Sequence, residues 1–439
     1  MKSSATLLTG ANVACAVIGV LQGLLVLRML GPELFGAAAV LVAIGAVAQN
    51  LVDVRVTDLV SRLYYDERAG GVNGAGYRGS ALRLGVRISA GGAALIALIS
   101  GVALPLAAPA LTGVELFASS FLLIATAQGI AYLGSFFTFV QRYAASPPRM
   151  AAVQVTSALI NAAAMVGCVA ASRSVGGYTL GLLASATGIA ALNAAYAVTV
   201  FRKDGIQLFR TQPAAPSIDR ATILRFLSAG NLLGYVKLLH RSADVILVSV
   251  FCGDRETGIY KLARSIADAL FAFSEAMGRV YQPRLLELLQ ARDHVQYAVL
   301  ARSLLAMATV VTLAAILGEL TLLPYLAPML GVTDVRALTL STITLSVSFF
   351  FAAGLQSWIW PAFVFFERLG YCTVWSIVAV LGGQYLLGPA LFHAVGDGSS
   401  LWFCVGYLSF YPLSLVPLWR ALQRERSTFA WRAQEVATP

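Results

Sequence analysis

Charge is scarce in this sequence. Asp, Glu, Lys and Arg together make up 12% of its 439 residues, whereas hydrophobic residues make up 58%. Soluble globular proteins carry about 25% charged residues, so this composition excludes an ordinary soluble protein and predicts one embedded in a membrane. The net charge of +10 would point to nucleic acid in a soluble chain. In a membrane protein it reflects basic loops that face the cytoplasm, and we expect no nucleic-acid partner.

Cysteine pairs, clustered histidines and nucleotide-binding loops are also absent from the sequence. The three histidines stand alone at positions 240, 294 and 393, and no Cys-x-x-Cys pair occurs. These absences exclude a disulfide framework and the usual zinc sites. The sequence also has no glycine-rich phosphate loop ending in Lys-Ser or Lys-Thr, and so no nucleotide motor. We therefore expect a protein that is not an enzyme, holds no cofactor, and depends on a gradient, the membrane potential or consumption of product.

Long apolar runs are what the sequence has in abundance. Runs of about 20 apolar residues are typical of transmembrane helices. Twelve spans are predicted, at about 6–29, 34–60, 84–108, 115–140, 151–172, 178–201, 224–251, 257–281, 299–323, 338–364, 371–392 and 400–420. The predicted fold class is all-α, a polytopic membrane protein with about twelve transmembrane helices.

Basic residues are distributed unequally over the predicted connections. One side of the membrane carries twenty-one of them, and the other side carries only Arg28, Arg173, Arg255 and Arg336. Because Lys and Arg accumulate on the cytoplasmic side of a membrane protein, both termini are predicted to be cytoplasmic. The connections with few basic residues are then the outer ones.

The predicted spans fall into two halves around a mid-chain loop with Pro213 and Pro216. We predict an N-terminal six-helix lobe at 1–201, a cytoplasmic linker at 202–223, a C-terminal six-helix lobe at 224–420 and a cytoplasmic tail at 421–439. No connection between spans is long enough for a folded soluble domain of about 50 residues.

An internal repeat supports this division. "LGPELFG" (Leu30–Gly36) follows the first span, and "CGDRETG" (Cys252–Gly258) follows the seventh. Each Gly-x-x-x-x-Gly motif joins an outgoing helix to a returning one across a short outer turn. Parallel repeats in transporters are related by an axis along the membrane normal, and the substrate binds where they meet. We therefore expect a central cavity between the two lobes.

The seventh span carries a polar stripe. Four residues have the i, i+3, i+4 and i+7 spacing that places side chains on one helix face, namely Lys237, His240, Arg241 and Asp244. A central Lys, Arg or Asp costs about 2.5–3.5 kcal/mol to insert, so this face is expected to avoid lipid. Its net positive charge suits an anionic, phosphate-bearing substrate. The alternative is structural: Arg241 pairs with Asp244, and Lys237 extends to the interface.

Other charged residues in the spans are candidates for a secondary cavity or a coupling role. They are Arg28, Asp53, Arg55, Asp58, Lys261, Asp268 and Glu275. In the second span, Arg55 and Asp58 could equally form a local salt-bridge ladder, and Arg28 could extend to the interface. In the eighth span, Asp268 or Glu275 could balance the neighbouring cations or hold a coupling ion, Na⁺ or H⁺. Single Gln and Asn residues predict interhelical hydrogen bonds, although in a cavity they also suit sugar hydroxyls.

Several motifs resemble those of a known family. "VLRMLGPELFGAAAV" (Val26–Val40) is similar to the start of bacterial polysaccharide-export flippases of the O-antigen type, which often have Arg-x-Leu-Gly-Pro-Glu-x-(Phe/Tyr)-Gly there. "GIYKLARSIADAL" and "YQPRLLELL" resemble the family's eighth helix and the segment after it. The family belongs to the multidrug/oligosaccharidyl-lipid/polysaccharide (MOP) exporter superfamily. This chain departs at "VDVRVTDL", where relatives usually have Asp-Leu-Gly-Leu, so no family role carries over to Asp53.

The resemblance implies a MATE-like architecture, with two six-helix lobes around a central cationic cavity. The implied function is flipping a polyprenyl-pyrophosphate-linked oligosaccharide to the outer leaflet of the bacterial cytoplasmic (inner) membrane, by alternating access. Lys237 and Arg241 match the family's cavity cations, with His240 as a weaker donor and Asp244 orienting Arg241. The expected partners are this glycan lipid, membrane lipids, and polysaccharide-assembly proteins such as a polymerase.

Two other functions remain open. A cation-coupled multidrug antiporter of the same superfamily would need unpaired carboxylates in its cavity, whereas the seventh span is net positive. A membrane glycan polymerase or glycosyltransferase would need catalytic groups on a large outer loop or a nucleotide-sugar domain, and the sequence contains neither.

Overall fold

The protein is almost entirely helical. A computed structural model describes residues 2–52, 56, 60, 74–112, 118–144, 147–203, 238–240, 242–291, 293–359, 362 and 369–437. No β-strand occurs within these residues. The predicted all-α class is confirmed.

The described residues form a succession of mostly long helices. The α-helices are α1 (Lys2–Val52), α2 (Gly74–Leu111), α3 (Ala118–Ala144), α4 (Pro147–Ser172), α5 (Val175–Lys203), α6 (Ala243–Gln290), α7 (His294–Met329), α8 (Val335–Phe351), α9 (Leu369–Val380), α10 (Gly388–Val395) and α11 (Leu401–Ala437). Two π-helical segments continue α8 and α9, namely π1 (Ala352–Gln356) and π2 (Leu381–Leu387).

Nine helical stretches within the described residues are long and apolar enough to cross a membrane. Their outer surfaces expose large apolar side chains, including Leu106 at 75% and Leu98 at 64%. Exposed apolar surface on this scale marks contact with another apolar phase. The predicted polytopic membrane protein is confirmed.

The nine stretches contain ten of the twelve predicted spans, and the seventh and eighth spans are not among them. The first stretch, Gly10–Val52, contains both the first and the second predicted span. The seventh span lies mostly outside the described residues. The eighth lies in α6, which carries more charge than the nine counted helices because it includes Lys261, Arg264 and Asp268.

The chain divides into two compact units, Met1–Gly258 and Ile259–Pro439. In the first unit, α3 packs against α2 and α5, and α4 packs against α1 and α5. Its core joins apolar residues of α1, α2 and α3, for example Leu41, Leu104 and Ile124. In the second unit, α7 packs against α8 and π1, while α11 packs against α8, α9, π2 and α10. The first two residues of the predicted linker at 202–223 end α5 and the rest lies outside the described residues, so the predicted lobe boundaries stay predictions.

The described part of the seventh span belongs to the first unit and packs against its other helices. Asn50 donates from Nδ2 to Ser242 Oγ at 3.3 Å, and Ser249 donates from Oγ to the Leu111 carbonyl at 2.7 Å. Ile246 packs against the core of α1, α2 and α3. This end of the span is therefore fixed to helices of the N-terminal half by both polar and apolar contacts.

Candidate functional site

The outer turns of the repeat have the same backbone conformation. Gly31 has φ 76° and ψ 165°, and Gly253 has φ 77° and ψ 179°. This region of the Ramachandran map is essentially restricted to glycine, because a Cβ would clash with the backbone. Two glycines in one strained conformation, at matching points of the two halves, support the internal repeat.

The second glycine of each motif lies against the other turn. A Cβ added at Gly36 would lie 1.8 Å from the Asp254 carbonyl oxygen, and one added at Gly258 would lie 2.0 Å from the Pro32 carbonyl oxygen. Each turn therefore contacts the other through a glycine and a backbone carbonyl. We call these four residues the glycine clasp. On the predicted topology, it lies on the outer side.

The polar stripe of the seventh span is only partly described. Lys237 and Arg241 lie outside the described residues, so their role stays a prediction. His240 and Asp244 are buried, with 7% and 3% of their surfaces exposed. Ser242 is in a turn between helical residues 238–240 and the start of α6 at Ala243. Arg241 lies outside the described residues, and the Ser242 N–H donates to the Leu238 carbonyl at 3.1 Å, which is the i to i−4 pairing of an α-helix, so the expectation that the stripe lies on one helix stays a prediction.

Asp244 has a structural contact in this turn. It lies in the first turn of α6, and its Oδ1 accepts a hydrogen bond from the Val245 N–H at 2.9 Å. A carboxylate at a helix N-terminus is stabilised by the unpaired amide groups and the helix dipole. This contact stabilises the start of α6, and whether Asp244 also pairs with or orients Arg241 stays a prediction.

The charges of the eighth span are partly paired. Arg264 is 4% exposed; its Nε donates to Asp268 Oδ1 at 3.1 Å, and the Asp268 side chain is 50% exposed. The guanidinium carbon of Arg264 lies 4.0 Å from the centre of the Tyr407 ring. Asp268 thus balances a neighbouring cation, as one of the two sequence-based alternatives expected. Lys261 is half-buried, and Glu275 lies on α6.

Replacing Tyr407 with leucine is expected to lower the melting temperature of the purified protein. A desolvated cation–π contact contributes about 2 kcal/mol, and Arg264 is buried over this ring. Tyr407→Phe keeps the ring face and serves as the matched control, with both variants measured in the same detergent. Equal losses in the two variants would assign the stabilisation to the hydroxyl group instead.

Of the four remaining sequence candidates, one lies within the described residues and three do not. Arg28 is exposed on α1, as expected for a side chain that extends to the interface. Asp53, Arg55 and Asp58 lie outside the described residues, so the choice between a salt-bridge ladder and a substrate role stays open.

A polar cavity of about 350 Å³ lies in the first unit. Its polar lining consists of uncharged amides and hydroxyls, namely Gln128, Ser135, Thr138, Asn161, Ser185 and Asn193. These groups also bond between helices: Asn161 Oδ1 accepts from Ser185 Oγ at 2.6 Å, and Asn193 Nδ2 donates to Thr138 Oγ1 at 3.1 Å. The interhelical bonds predicted from the sequence therefore exist around a cavity.

An apolar groove of about 570 Å³ lies in the second unit. Its walls include Leu305, Leu355, Trp358 and Trp419, and its charged lining residues are two arginines, Arg302 and Arg420. The Trp358 and Trp419 rings pack edge to face, 5.4 Å apart. Trp358 is fixed further by a 2.7 Å hydrogen bond from its Nε1 to the Gly354 carbonyl. A rigid apolar wall that also carries two arginines suits a ligand with an apolar chain and an anionic group.

One buried carboxyl group was not among the residues predicted from the sequence. Glu319 lies on α7 with 6% of its surface exposed, and its Oε1 accepts a hydrogen bond from Ser346 Oγ on α8 at 2.5 Å. It is the only ionisable residue in the predicted span 299–323 other than Arg302 near its cytoplasmic end. Ionisable residues within a span are functional candidates by default, and that rule would have identified it.

Comparisons with known proteins support the fold alone. No family model and no curated protein matches the chain. A solved MATE transporter in complex with MaD3S is similar at a TM-score of 0.66 and 14% identity, with 97% of each chain covered. An inward-facing multidrug resistance MATE family transporter of the MOP superfamily is similar at 0.65 and 12%, with 96% of this chain and 95% of that chain covered.

A MATE transporter from Vibrio cholerae is also similar, with a TM-score of 0.61, 13% identity, and coverage of 96% of this chain and 98% of that one. The likeness extends over nearly the whole length of each protein. The chain therefore has the fold of the MATE transporters, which are polytopic membrane proteins.

Proposed function

We propose that the protein is a membrane transporter of the MOP superfamily type, and that its substrate is an oligosaccharide linked to a polyprenyl pyrophosphate. The MATE-transporter fold supports the first part, and it favours transport over an enzymatic role. The substrate proposal rests on this chain's own residues. In the proposed cycle, alternating access moves the glycan lipid from the cytoplasmic to the outer leaflet.

One observation carries the substrate proposal: no carboxylate lines either of the two described cavities, and two arginines line one of them. A cationic drug would need a negative partner in such a cavity, whereas a phosphate is bound well by arginine. The amides and hydroxyls in the first unit can both donate and accept hydrogen bonds, which suits sugar hydroxyl groups. Taken separately, the first cavity suits sugar hydroxyl groups and the second suits a phosphate attached to an apolar chain.

The predicted topology also indicates the side of the membrane from which the substrate enters. It places Arg302 and Arg420 near the cytoplasmic ends of their spans, where a substrate from the inner leaflet would first meet the protein. Lys237 and Arg241 remain the predicted pyrophosphate ligands deeper in the membrane. Outward movement of negative charge is favoured by an inside-negative potential by about 2.3 kcal/mol per charge per 100 mV.

Transport by the purified protein in vesicles tests this function. A fluorescent polyprenyl-pyrophosphate oligosaccharide is placed in both leaflets, and the fraction accessible to a membrane-impermeant glycosidase is followed over time. We expect the protein to speed the exchange of the glycan lipid between leaflets relative to empty vesicles. Exchange no faster than in empty vesicles would exclude the proposed substrate.

The second candidate function is a cation-coupled multidrug antiporter. The comparisons favour it more than the glycan lipid, because a solved structure with the same fold is a multidrug resistance transporter. Efflux of a fluorescent cationic drug from the same vesicles, driven by a Na⁺ or H⁺ gradient, separates the two. Drug efflux without glycan-lipid exchange would replace the first proposal with this one. Transfer of sugars by the purified protein would instead indicate a polymerase or glycosyltransferase.

Removing the groove arginines is expected to weaken binding of anionic lipids. A basic residue near a membrane surface contributes about 1 kcal/mol toward an anionic headgroup, so Arg302→Ala with Arg420→Ala should lower affinity about tenfold or more. Native mass spectrometry with an anionic and a zwitterionic phospholipid measures the effect. Arg336→Ala, an exposed arginine outside the groove, is the matched control. An equal loss in the control would show that the groove is not specific.

A further inference from the structure

The buried carboxyl group of Glu319 lies where α7 packs against a face of α8 that carries apolar residues and uncharged hydroxyl groups. The buried stripe of α7 around it consists of Ala301, Leu304, Ala308, Thr312, Glu319 and Leu323. Ser346 Oγ bonds to Oε1 of Glu319, while Oε2 is buried without a hydrogen-bond partner. On the opposite side of α7, Leu317 and Leu320 are more than half exposed and face the apolar phase. The carboxyl group therefore points into the protein, with one oxygen bonded and the other bare.

Charged groups that could stabilise an ionised Glu319 are distant on the described helices that pack against α7. Those helices are α8 and π1, and their one charged residue is Arg336, which is exposed. It lies ten residues from Ser346, or about 15 Å along the helix. On α7 itself, the charged residue nearest in sequence is Arg302, about 25 Å away by the same rise.

An ionised carboxylate in these surroundings would be strongly disfavoured. Burying an isolated charge costs far more than burying a neutral polar group, so such a group takes up a proton instead. One serine hydroxyl satisfies only part of a carboxylate's capacity of about four acceptor sites. A carboxylic acid needs less compensation, because it carries no charge.

We propose that Glu319 is an intramembrane proton-binding site, protonated while the α7–α8 contact is closed and ionised when water reaches it. The proton comes from and returns to bulk water. Glu319 lies eleven residues before the turn at Leu330, or about 16 Å from it along the helix. On the predicted topology that turn is on the outer side, so proton exchange takes place with the outer solution.

Infrared spectroscopy of the full-length protein in lipid tests the protonation state without any transport assay. A protonated carboxyl group has a C=O stretching band that a carboxylate lacks. We expect the wild type minus Glu319→Gln difference spectrum at pH 7 to contain one such band. The band should shift in D₂O and disappear as the pH is raised. Absence of the band at pH 7, or a band that neither exchanges nor titrates, would overturn the proposal.

Two further variants identify the band. Ser346→Ala removes the hydrogen bond to Oε1 and should shift the C=O frequency without removing the band. Glu33→Gln removes an exposed carboxyl group at the outer turn of α1 and should leave the band unchanged at pH 7. If Ser346→Ala left the frequency unchanged, or Glu33→Gln removed the band, the assignment to Glu319 would be wrong.

A second arm rests on the proposed transport function. If Glu319 exchanges protons during the cycle, an imposed pH gradient should change the rate of wild-type transport in vesicles by several-fold. Glu319→Gln should still transport, but with no response to the gradient. A variant that responds as strongly as the wild type would exclude a coupling role. A wild type that transports neither substrate would contradict the proposed function while leaving the infrared result unaffected.

Discussion

Replacing Gly258 with alanine is expected to hold the two outer turns apart. The new methyl group would lie 2.0 Å from the Pro32 carbonyl oxygen, and ordinary contact begins at 3.4 Å, so the turns must separate by about 1.4 Å. Overpacking of this kind costs about 1–3 kcal/mol, which lowers the population of the closed clasp about 5- to 150-fold. If transport proceeds by alternating access, the outer side must close in every cycle. The variant should then accumulate with its outer side open and lose most of its transport.

Spin labels on the two turns measure this separation. Glu33→Cys and Arg255→Cys place the labels on exposed residues of opposite turns, in a background that lacks the five native cysteines. We expect Gly258→Ala to shift the distance distribution toward longer values, and Gly36→Ala to do the same. Gly23→Ala lies on the same helix α1 with no atom near the added methyl and serves as the control. A distribution identical in all three variants would show that the clasp does not set the distance between the turns.

Removing the two predicted cavity cations is expected to abolish transport of the glycan lipid. Lys237→Ala with Arg241→Ala removes the Lys and Arg of the polar stripe, and truncating a partner of a buried charge pair typically costs about 2–5 kcal/mol or more. A loss of about 2–5 kcal/mol per pair lowers the affinity for pyrophosphate by at least about thirtyfold. The measurement is the vesicle exchange assay, with each sample normalised to the amount of folded protein.

Two comparisons make this result interpretable. Arg336→Ala removes one exposed basic residue and should transport normally, which controls for the change in net charge. The double variant should also retain the wild-type melting temperature, because the cations are expected to face a cavity. Normal transport by the double variant would leave these residues with the structural role, in which Arg241 pairs with Asp244.

Much of the fold follows from apolar length and the placement of glycine. The spans are visible in the sequence because each needs about 20 apolar residues, and their number does not depend on tertiary contacts. The backbone of the outer turns is also predictable, because Gly31 and Gly253 occupy a conformation that other residues avoid. The contact between Gly36 and Asp254 is not, since the close approach of two turns depends on packing across more than 200 residues.

The candidate site is less predictable than the fold. The spacing of Lys237, His240 and Asp244 assumes a regular helix, and no proline or glycine in the sequence marks the turn residue Ser242 within the stripe. Glu319 was missed because the average hydropathy of its span hides a single carboxyl group. The polar cavity could not be foreseen either, because single residues such as Asn161 and Asn193 indicate a hydrogen bond but not the space beside it.

The glycine clasp also bears on how this chain arose. In a homodimer with a two-fold axis, residue i of one subunit contacts residue j of the other, and j contacts i in return. Gly36 against Asp254 and Gly258 against Pro32 reproduce that isologous exchange within one polypeptide. Such a contact is what a dimer of six-helix subunits would leave behind after its two genes fused. The glycines at 36 and 258 are what such a contact requires of both halves, because a side chain at either position would meet the backbone of the opposite turn.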